Sequence, residues 1–316
     1  MVSKPKSCQL DPIPTWLLKS CIDVLLPTIT TIINASLEQG VFPTKWKESL
    51  LRPLIKKMSL DRDEFNNFRP ISNLAFLSKT LEKIVASQLD TYLTNHQLYA
   101  KMQSAYRIHH STETALLRVV NDVMRGIDDQ QECVLVLLDL SSAFDTIDHD
   151  ILLDRLCNRY GLSGVVLDWL KSYLCDRPQR VVVDNVSSRP CFASCGVPQG
   201  SVLGPLLFSL YIAPLEDVIM SHGIDAMMYA DDSQLYIFLN RNNCIIATEK
   251  LEACIDDVMN WITCNMLMGN PSKTEVIHFY SRYMKPDCPL RPIKVGGHDV
   301  QPVNKILVVK SIETHV

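Results

Sequence analysis

The stretch on which the fold turns is MMYADDSQLYIFL, Met227–Leu239. Two adjacent carboxylates, Asp231 and Asp232, stand between apolar runs. The flanking residues (Met228 and Tyr229 before, Leu235, Tyr236, Ile237 and Phe238 after) favour buried strands. The pattern predicts strand, tight turn, strand, with the charges at the turn. Taken alone, the pair has a plain explanation. Asp is common in turns because its side chain hydrogen-bonds its own backbone.

A second acidic strand end changes the weighing. CVLVLLDL, Cys133–Leu140, is short, β-branched and leucine-rich, and places Asp139 after a central strand. If the two strands are neighbours in one sheet, three carboxylates converge. Uncompensated, such a cluster is unfavourable, because like charges raise pKa values and burial costs several kcal/mol. A divalent cation reverses that cost. Hard oxygen donors suit Mg²⁺, which takes substrate phosphates as further ligands. Two ions about 3.5–4 Å apart can activate an attacking hydroxyl and steady a leaving pyrophosphate.

Bulk properties allow such a protein. The 316 residues are 47% hydrophobic, enough for two or three subdomains or one large mixed domain. No run of 18 apolar residues exists, and VLGPLLFSLYIAPL is interrupted by Gly204, Ser209 and Pro214, so no membrane span is expected. The start, MVSKPKSCQL, leads into Pro12 and Pro14 rather than a secretory apolar region. The 11 cysteines are an odd number without CxxC pairs or zinc spacing, which suits free thiols in a reducing compartment. Net charge is −4, but residues 1–110 carry 14 Lys/Arg against 9 Asp/Glu and the remainder 17 against 26. A basic arm that holds phosphates and an acidic region that holds metal would look like this. So would ordinary surface variation.

Periodicity supplies the other elements. Residues 14–39 read as a helix broken near Pro27, with Gly40 as its cap. Ile71 to about His96 is amphipathic, with Leu74, Leu77, Leu81, Ile84, Leu89 and Tyr92 on one face. Ser111 is an N-cap for a helix to Met124, ended by Gly126. Helices follow at 149–160, with Asp148 as N-cap, and 164–174, with Ser163 as N-cap. RVVVDNVSSRPCFASC suggests two strands, GVPQGSVLGP a turn into a helix reaching Ser221, and residues 247–268 another helix. The whole implies an α+β fold.

The acidic segments also lie in a familiar order. LVLLDLSSAFDTIDHDIL, GVPQGSVLGPLLFSLYI and YADDSQLY resemble the palm motifs A, B and C of reverse transcriptases. FRPISNLAFLSKTLEKIVASQL and QSAYRIHHSTETALLRVV resemble the fingers motifs of LINE-type (non-LTR) retrotransposon polymerases. LDPIPTWLLK is similar to the upstream segment of jockey-like members, and WITCNMLMGNPSKTEVIHF to motif D. The resemblance spans roughly Leu10 to Phe279.

It implies a right-hand polymerase fold, fingers and palm, with an antiparallel palm sheet flanked by helices and the thumb absent. It divides the chain into an N-terminal extension and fingers (1–126), a palm carrying motifs A to D with some fingers-inserted helices (127–280) and an atypical tail (281–316). It implies two Mg²⁺ ions, with Mn²⁺ as a substitute, held by Asp139, Asp231 and Asp232 with the Leu140 carbonyl. Lys273 matches the motif D lysine, a general acid for pyrophosphate; an exposed loop lysine is the alternative. Arg107 matches the fingers arginine on the incoming triphosphate, and Arg69 a basic position near template or nucleotide. Either arginine could instead serve a surface ion pair. Phe144 matches the aromatic gate that excludes a ribose 2′-OH by shape; a core phenylalanine is the alternative. Gly196 and Gly200 would let backbone approach template, primer or nucleotide, and Gln199 would touch the nascent pair.

The implied partners are an RNA template, a DNA primer and dNTPs, with no membrane. Three departures from the family's full pattern are expected: neither an endonuclease segment nor a thumb is visible, and the net acidity leaves little basic surface for a stand-alone template binder. They suggest a truncated copy, and leave a catalytically inactive remnant that binds RNA as the alternative. A palm-type nucleotidyl cyclase would explain the carboxylates but not GVPQGS or the fingers segments.

Overall fold

The computed structural model describes residues 8–184, 186–281, 283 and 290–307. The opening MVSKPKS and the final VVKSIETHV, on which the leader and tail readings partly rest, lie outside the described residues.

Among the described residues the chain passes through helices α1 (Thr15–Ser20) and α2 (Ile22–Gln39), strands β1 (Ser49–Ile55) and β2 (Phe68–Leu74), and helices α3 (Phe76–Asn95) and α4 (Thr112–Asp128). Strand β3 (Glu132–Leu138) and the short β4 (Leu140–Ser141) follow, then α5 (His149–Asn158) and α6 (Gly164–Leu174). Next come β5 (Arg177–Val183), β6 (Val186–Ser187), β7 (Cys191–Ala193), α7 (Gly204–Ile212) and α8 (Leu215–Ser221). The remainder is β8 (Asp225–Tyr229), β9 (Asp232–Leu239), α9 (Cys244–Cys264), β10 (Met268–Gly269), β11 (Glu275–Ser281), β12 (Ile293–Val295), β13 (His298–Val300) and β14 (Val303–Leu307).

These elements form two compact units, one of residues 1–98 and 144–211, the other of 99–143 and 212–316. In the first, β1 pairs antiparallel with β2 and parallel with β5, which also carries β6 and β7. Its core is fully buried side chains of α3, α5, α6 and α7, among them Leu81, Leu93, Leu156, Tyr173, Leu207 and Phe208. The Phe42 ring meets Trp169 and Tyr173 edge-on, at 5.4 and 5.3 Å.

The second unit is built on the sheet β14-β11-β3-β9-β8. It is antiparallel across four strands, but the edge strand β14 joins β11 in parallel, so the expected antiparallel sheet is mixed at one edge. Strand alternation explains why both faces are apolar. Cys133, Leu135, Met227 and Tyr236 turn to Ala115, Val119, Val123 and Ile127 of α4. Val134, Val136, Met228 and Leu235 point the other way and are equally buried. Helix α9 packs on β9 and α8 on β8.

Several element expectations need correction. Residues 71–74 are strand, not helix: β2 zips onto β1 from Phe68↔Ile55 to Leu74↔Ser49, and the helix starts only at Phe76. The first helix breaks at Cys21 and runs on through Pro27, which forfeits a single intrahelical bond. Ser163 stands at the N-cap of α6 without a side-chain hydrogen bond, whereas Asp148 caps the Ile151 N–H of α5. The helix expected to reach Ser221 is split at Pro214. Every described cysteine is a free thiol. Among the described residues no helix is long and apolar enough to cross a membrane.

Gly126 does not end α4, which continues to Asp128. It is there because the Phe238 ring occupies its side-chain position: a Cβ would lie 2.2 Å from Phe238 Cε1. Helix propensity alone would make Gly126→Ala stabilising by about 1 kcal/mol. Overpacking should reverse the sign, giving a loss of about 1–3 kcal/mol in denaturant unfolding. A gain would show that the ring has room to move.

Candidate active site

The hairpin tip follows from pairing. Tyr229 faces Asp232 as the last pair of β8 and β9, leaving Ala230 and Asp231 as the turn. Ala230 has φ +56°, a left-handed conformation unusual for a residue with a Cβ. Gln103 hydrogen-bonds both its N–H and its carbonyl. On the other side of β9, β3 pairs from Glu132↔Leu239 to Leu138↔Ser233. One residue further along that register sets Asp139 level with Asp232. The two strands are therefore neighbours, and the acidic strand ends meet at one edge of the sheet.

The electrostatics agree. Asp232 has its pKa raised by partial burial first, then by Asp231 and Asp139, with Lys273 opposing. The Tyr106 hydroxyl is raised by burial and by Asp231. Asp139 is not left bare: Lys273 Nζ lies 3.1 Å from its Oδ2, and the lysine is 64% exposed. The loop that carries Lys273 is tied to the strand end. Asp139's carbonyl accepts from the Asn270 N–H at 2.9 Å, and Gly269 pairs with Leu140.

Among the described residues no three His, Cys, Asp or Glu side chains already stand in a metal-holding group. The donor chemistry still fits a hard divalent ion. The groups are carboxylates that repel one another, and an exposed ammonium sits where a cation would relieve Asp139.

Arg107 is placed in the same unit, where Nη1 donates to the carbonyls of Ala100 and Gln103 at 3.1 and 3.2 Å. Its guanidinium lies 4.8 Å from the Tyr99 ring centre. It therefore braces its own loop, with further donors left in the fork.

Phe144, Gly196, Gln199, Gly200 and Arg69 belong to the other unit. There the segment after motif A is stitched to GVPQGS: Val197 N–H donates to Phe144's carbonyl at 2.9 Å, and Gly196 N–H to Ile147's at 2.7 Å. Gly196, at φ +80°, admits no side chain, since a Cβ would stand 2.7 Å from the Asp145 carbonyl oxygen. Gly200, at φ +104°, would bring a Cβ to 3.0 Å from Ser72's carbonyl. Phe144 is half-buried and stacks on Phe208 with centroids 4.9 Å apart. Gln199 Nε2 donates to Asp145 Oδ2 at 2.6 Å. Burial raises the Asp145 pKa, and this bond offsets part of that. Arg69 is exposed on β2, opposite Leu54.

Two supports escaped the sequence reading. One is Gln103. The other is Glu82, fully buried, whose Oε2 accepts from the Val202 and Leu203 N–H groups at 2.7 and 3.2 Å ahead of α7. Ser78 and Tyr173 hydroxyls complete its shell. Its position four residues after Ser78 on the buried face of α3 was the available signal.

An acidic hairpin beside an acidic strand end, in a helix-backed sheet, is the palm of a right-hand nucleic-acid polymerase. Within that class the chain belongs to the reverse transcriptase family: residues 55–309 match the family described as "Reverse transcriptase (RNA-dependent DNA polymerase)". It is 33% identical over 276 residues to the "Probable RNA-directed DNA polymerase from transposon BS" of Drosophila melanogaster, covering 85% of this chain and 30% of that protein. It is 28% identical over 271 residues to the "RNA-directed DNA polymerase from mobile element jockey" of the same species, covering 82% and 28%. The chain thus spans about a third or less of the length of these non-LTR retrotransposon relatives. Among solved structures, apo telomerase from Candida tropicalis, truncated from its C-terminal domain, aligns with TM-score 0.56 and 11% identity, over 75% of this chain and 51% of that one. That likeness concerns the fold. Polymerases of the family use divalent metal ions.

Two stability measurements test the site's construction. Asp232 takes up its proton more readily folded than unfolded, so its carboxylate costs stability as pH rises from 3.8 through the raised folded value. In metal-free protein Asp232→Asn should melt higher at neutral pH and the same at about pH 3, where both states are protonated. Equal melting at every pH would remove the repulsion from the account. Glu82→Ala, which strands two buried N–H groups, should cost about 2–4 kcal/mol in denaturant unfolding.

Proposed function

We propose that this chain is the RNA-directed DNA polymerase domain of a non-LTR retroelement, adding dNTPs to a DNA primer 3′-OH on an RNA template. The observation that carries the proposal is the register that brings Asp139 beside the Asp231–Asp232 hairpin within a chain of this family. Asp139 and Asp231 are the main holders of two Mg²⁺ ions, for which Mn²⁺ can substitute, with Asp232 and the Leu140 carbonyl as lesser donors. Bound there, the ions polarise the primer hydroxyl and neutralise charge on the phosphates.

The remaining work belongs to side chains. Lys273, already bonded to Asp139, carries a proton for the leaving pyrophosphate. Arg107 offers the free part of its fork to the triphosphate. Phe144 excludes a 2′-OH by shape, with Phe208 behind it to keep the ring from yielding. Gln199, aimed by Asp145, and the bare backbone at Gly196 and Gly200 face template, primer and nucleotide, and Arg69 adds charge for phosphate.

Extension of a DNA primer on an RNA template tests this directly. The chain should extend it with Mg²⁺ and stop on chelation. Asp139→Asn and Asp231→Asn should each lower the rate by at least about 10³-fold. Synthesis preserved in either purified, folded variant would overturn the assignment. Phe144→Ala should raise rNTP incorporation relative to dNTP, and an unchanged ratio would return Phe144 to the core.

A further inference from the structure

Gln103 opens QSAYRIHHST, the segment whose arginine drew the functional reading, and has no role there. It is 2% exposed, too deep for substrate, and its amide makes three hydrogen bonds to backbone. Oε1 accepts from the Ala230 N–H at 3.0 Å and from the Ala105 N–H at 3.0 Å. Nε2 donates to the Ala230 carbonyl at 3.1 Å. The two N–H donors fix which end of the amide faces them. Around it, Met228 N–H donates to Met102's carbonyl at 2.8 Å and Ser104 N–H to Met228's at 2.9 Å. Residues 102–105 thus run beside β8 as a bracket, with a parallel bridge at Gln103↔Met228.

The residue so gripped is itself strained. Ala230 is a non-glycine residue at φ +56° in a two-residue turn, directly before Asp231. Glycine is the usual occupant of such a position, and other residues hold it only when their surroundings over-determine it. A primary amide is the side chain that can meet a peptide's N–H and C=O together, being donor and acceptor at once. Glutamate offers no donor, and lysine no acceptor.

We infer that Gln103 is a positioning residue for nucleotidyl transfer: its amide holds Ala230 in the left-handed turn and thereby fixes where Asp231 and Asp232 point. This rests on the polymerase reading for its consequence, but not for the clamp itself. Gln103 touches no reacting group and acts only through Ala230. Since misplacing a catalytic group by about 1 Å can cost on the order of 100-fold in rate, the clamp matters beyond the stability it adds.

The experiment uses the full chain with three variants. Gln103→Met keeps the size of the side chain and removes its hydrogen bonds. Ala230→Gly removes the cost of positive φ. The third variant combines them. Gln103→Met should fold, exchange its Ala230 and Ala105 amide hydrogens at least about tenfold faster, extend primer roughly 10- to 100-fold more slowly and need more Mg²⁺ for half-maximal rate. Adding Ala230→Gly should restore most of the rate and Mg²⁺ requirement, because glycine accepts the turn unaided. A merely structural Gln103 would give a thermal-stability loss that Ala230→Gly leaves uncorrected in rate, and that result overturns the inference. So does unchanged amide exchange in Gln103→Met. If the parent chain does not polymerise at all, the functional reading fails, while exchange at Ala230 still decides the clamp. If Gln103→Met does not fold, Gln103→Glu, which keeps the acceptor for both N–H groups and loses only the donor to the Ala230 carbonyl, is expected to slow extension in weaker form and to be rescued by Ala230→Gly, and a wild-type rate there overturns the inference.

Discussion

The ladder between β3 and β9 is the constraint on which the site depends. It brings Asp139 level with Asp232, and a slip of one residue would turn every side chain of β9 to the opposite face. Apolar pattern alone would not forbid that slip, since both faces are buried. Specific fits do. Phe238 fills the space over Gly126, and Tyr236's hydroxyl donates to Asp122 at 2.7 Å. On the other flank of β3, His278 of β11 meets Glu132 at 2.6 Å with both side chains almost fully buried, which pins the β3–β11 ladder in the same way. Each is satisfied in one register only.

Holding like charges at the end of such a ladder opposes folding, and the chain offsets this locally. Lys273 answers Asp139, and openness to water keeps Asp232 from the full cost of burial. The strain at Ala230 is borne by a buried amide. The Lys273 ammonium already supplies positive charge beside carboxylates that repel one another.

The other unit fixes its GVPQGS segment through backbone contacts. GVPQGS is stitched to the chain after motif A, Gly196 and Gly200 pack against neighbouring carbonyls, and Glu82 anchors the entry to α7. That the fold aligns with a telomerase at 11% identity is consistent with this economy. Burial pattern and a few fixed contacts carry the architecture, and most side chains are free to differ.

The sequence by itself determined the central strands around Asp139 and the 227–239 hairpin, most helices and the acidic tip, because alternation, 3.6-residue periodicity and turn chemistry are local; membership of a polymerase class came from the resemblance of its ordered motifs. It misjudged residues 71–74, which carry helical spacing yet pair with β1, since strand pairing overrides local propensity. It took Gly126 for a terminator, because a glycine that makes room for a distant ring looks the same in one dimension as one that ends a helix. Only the tertiary structure assigned Gln103, Glu82 and Asp145. Each works by reaching backbone or side chains far along the chain, and a hydrogen bond across 127 residues leaves no trace in spacing. Which carboxylates meet, and what holds them at their angle, was decided by the register, not by the motif.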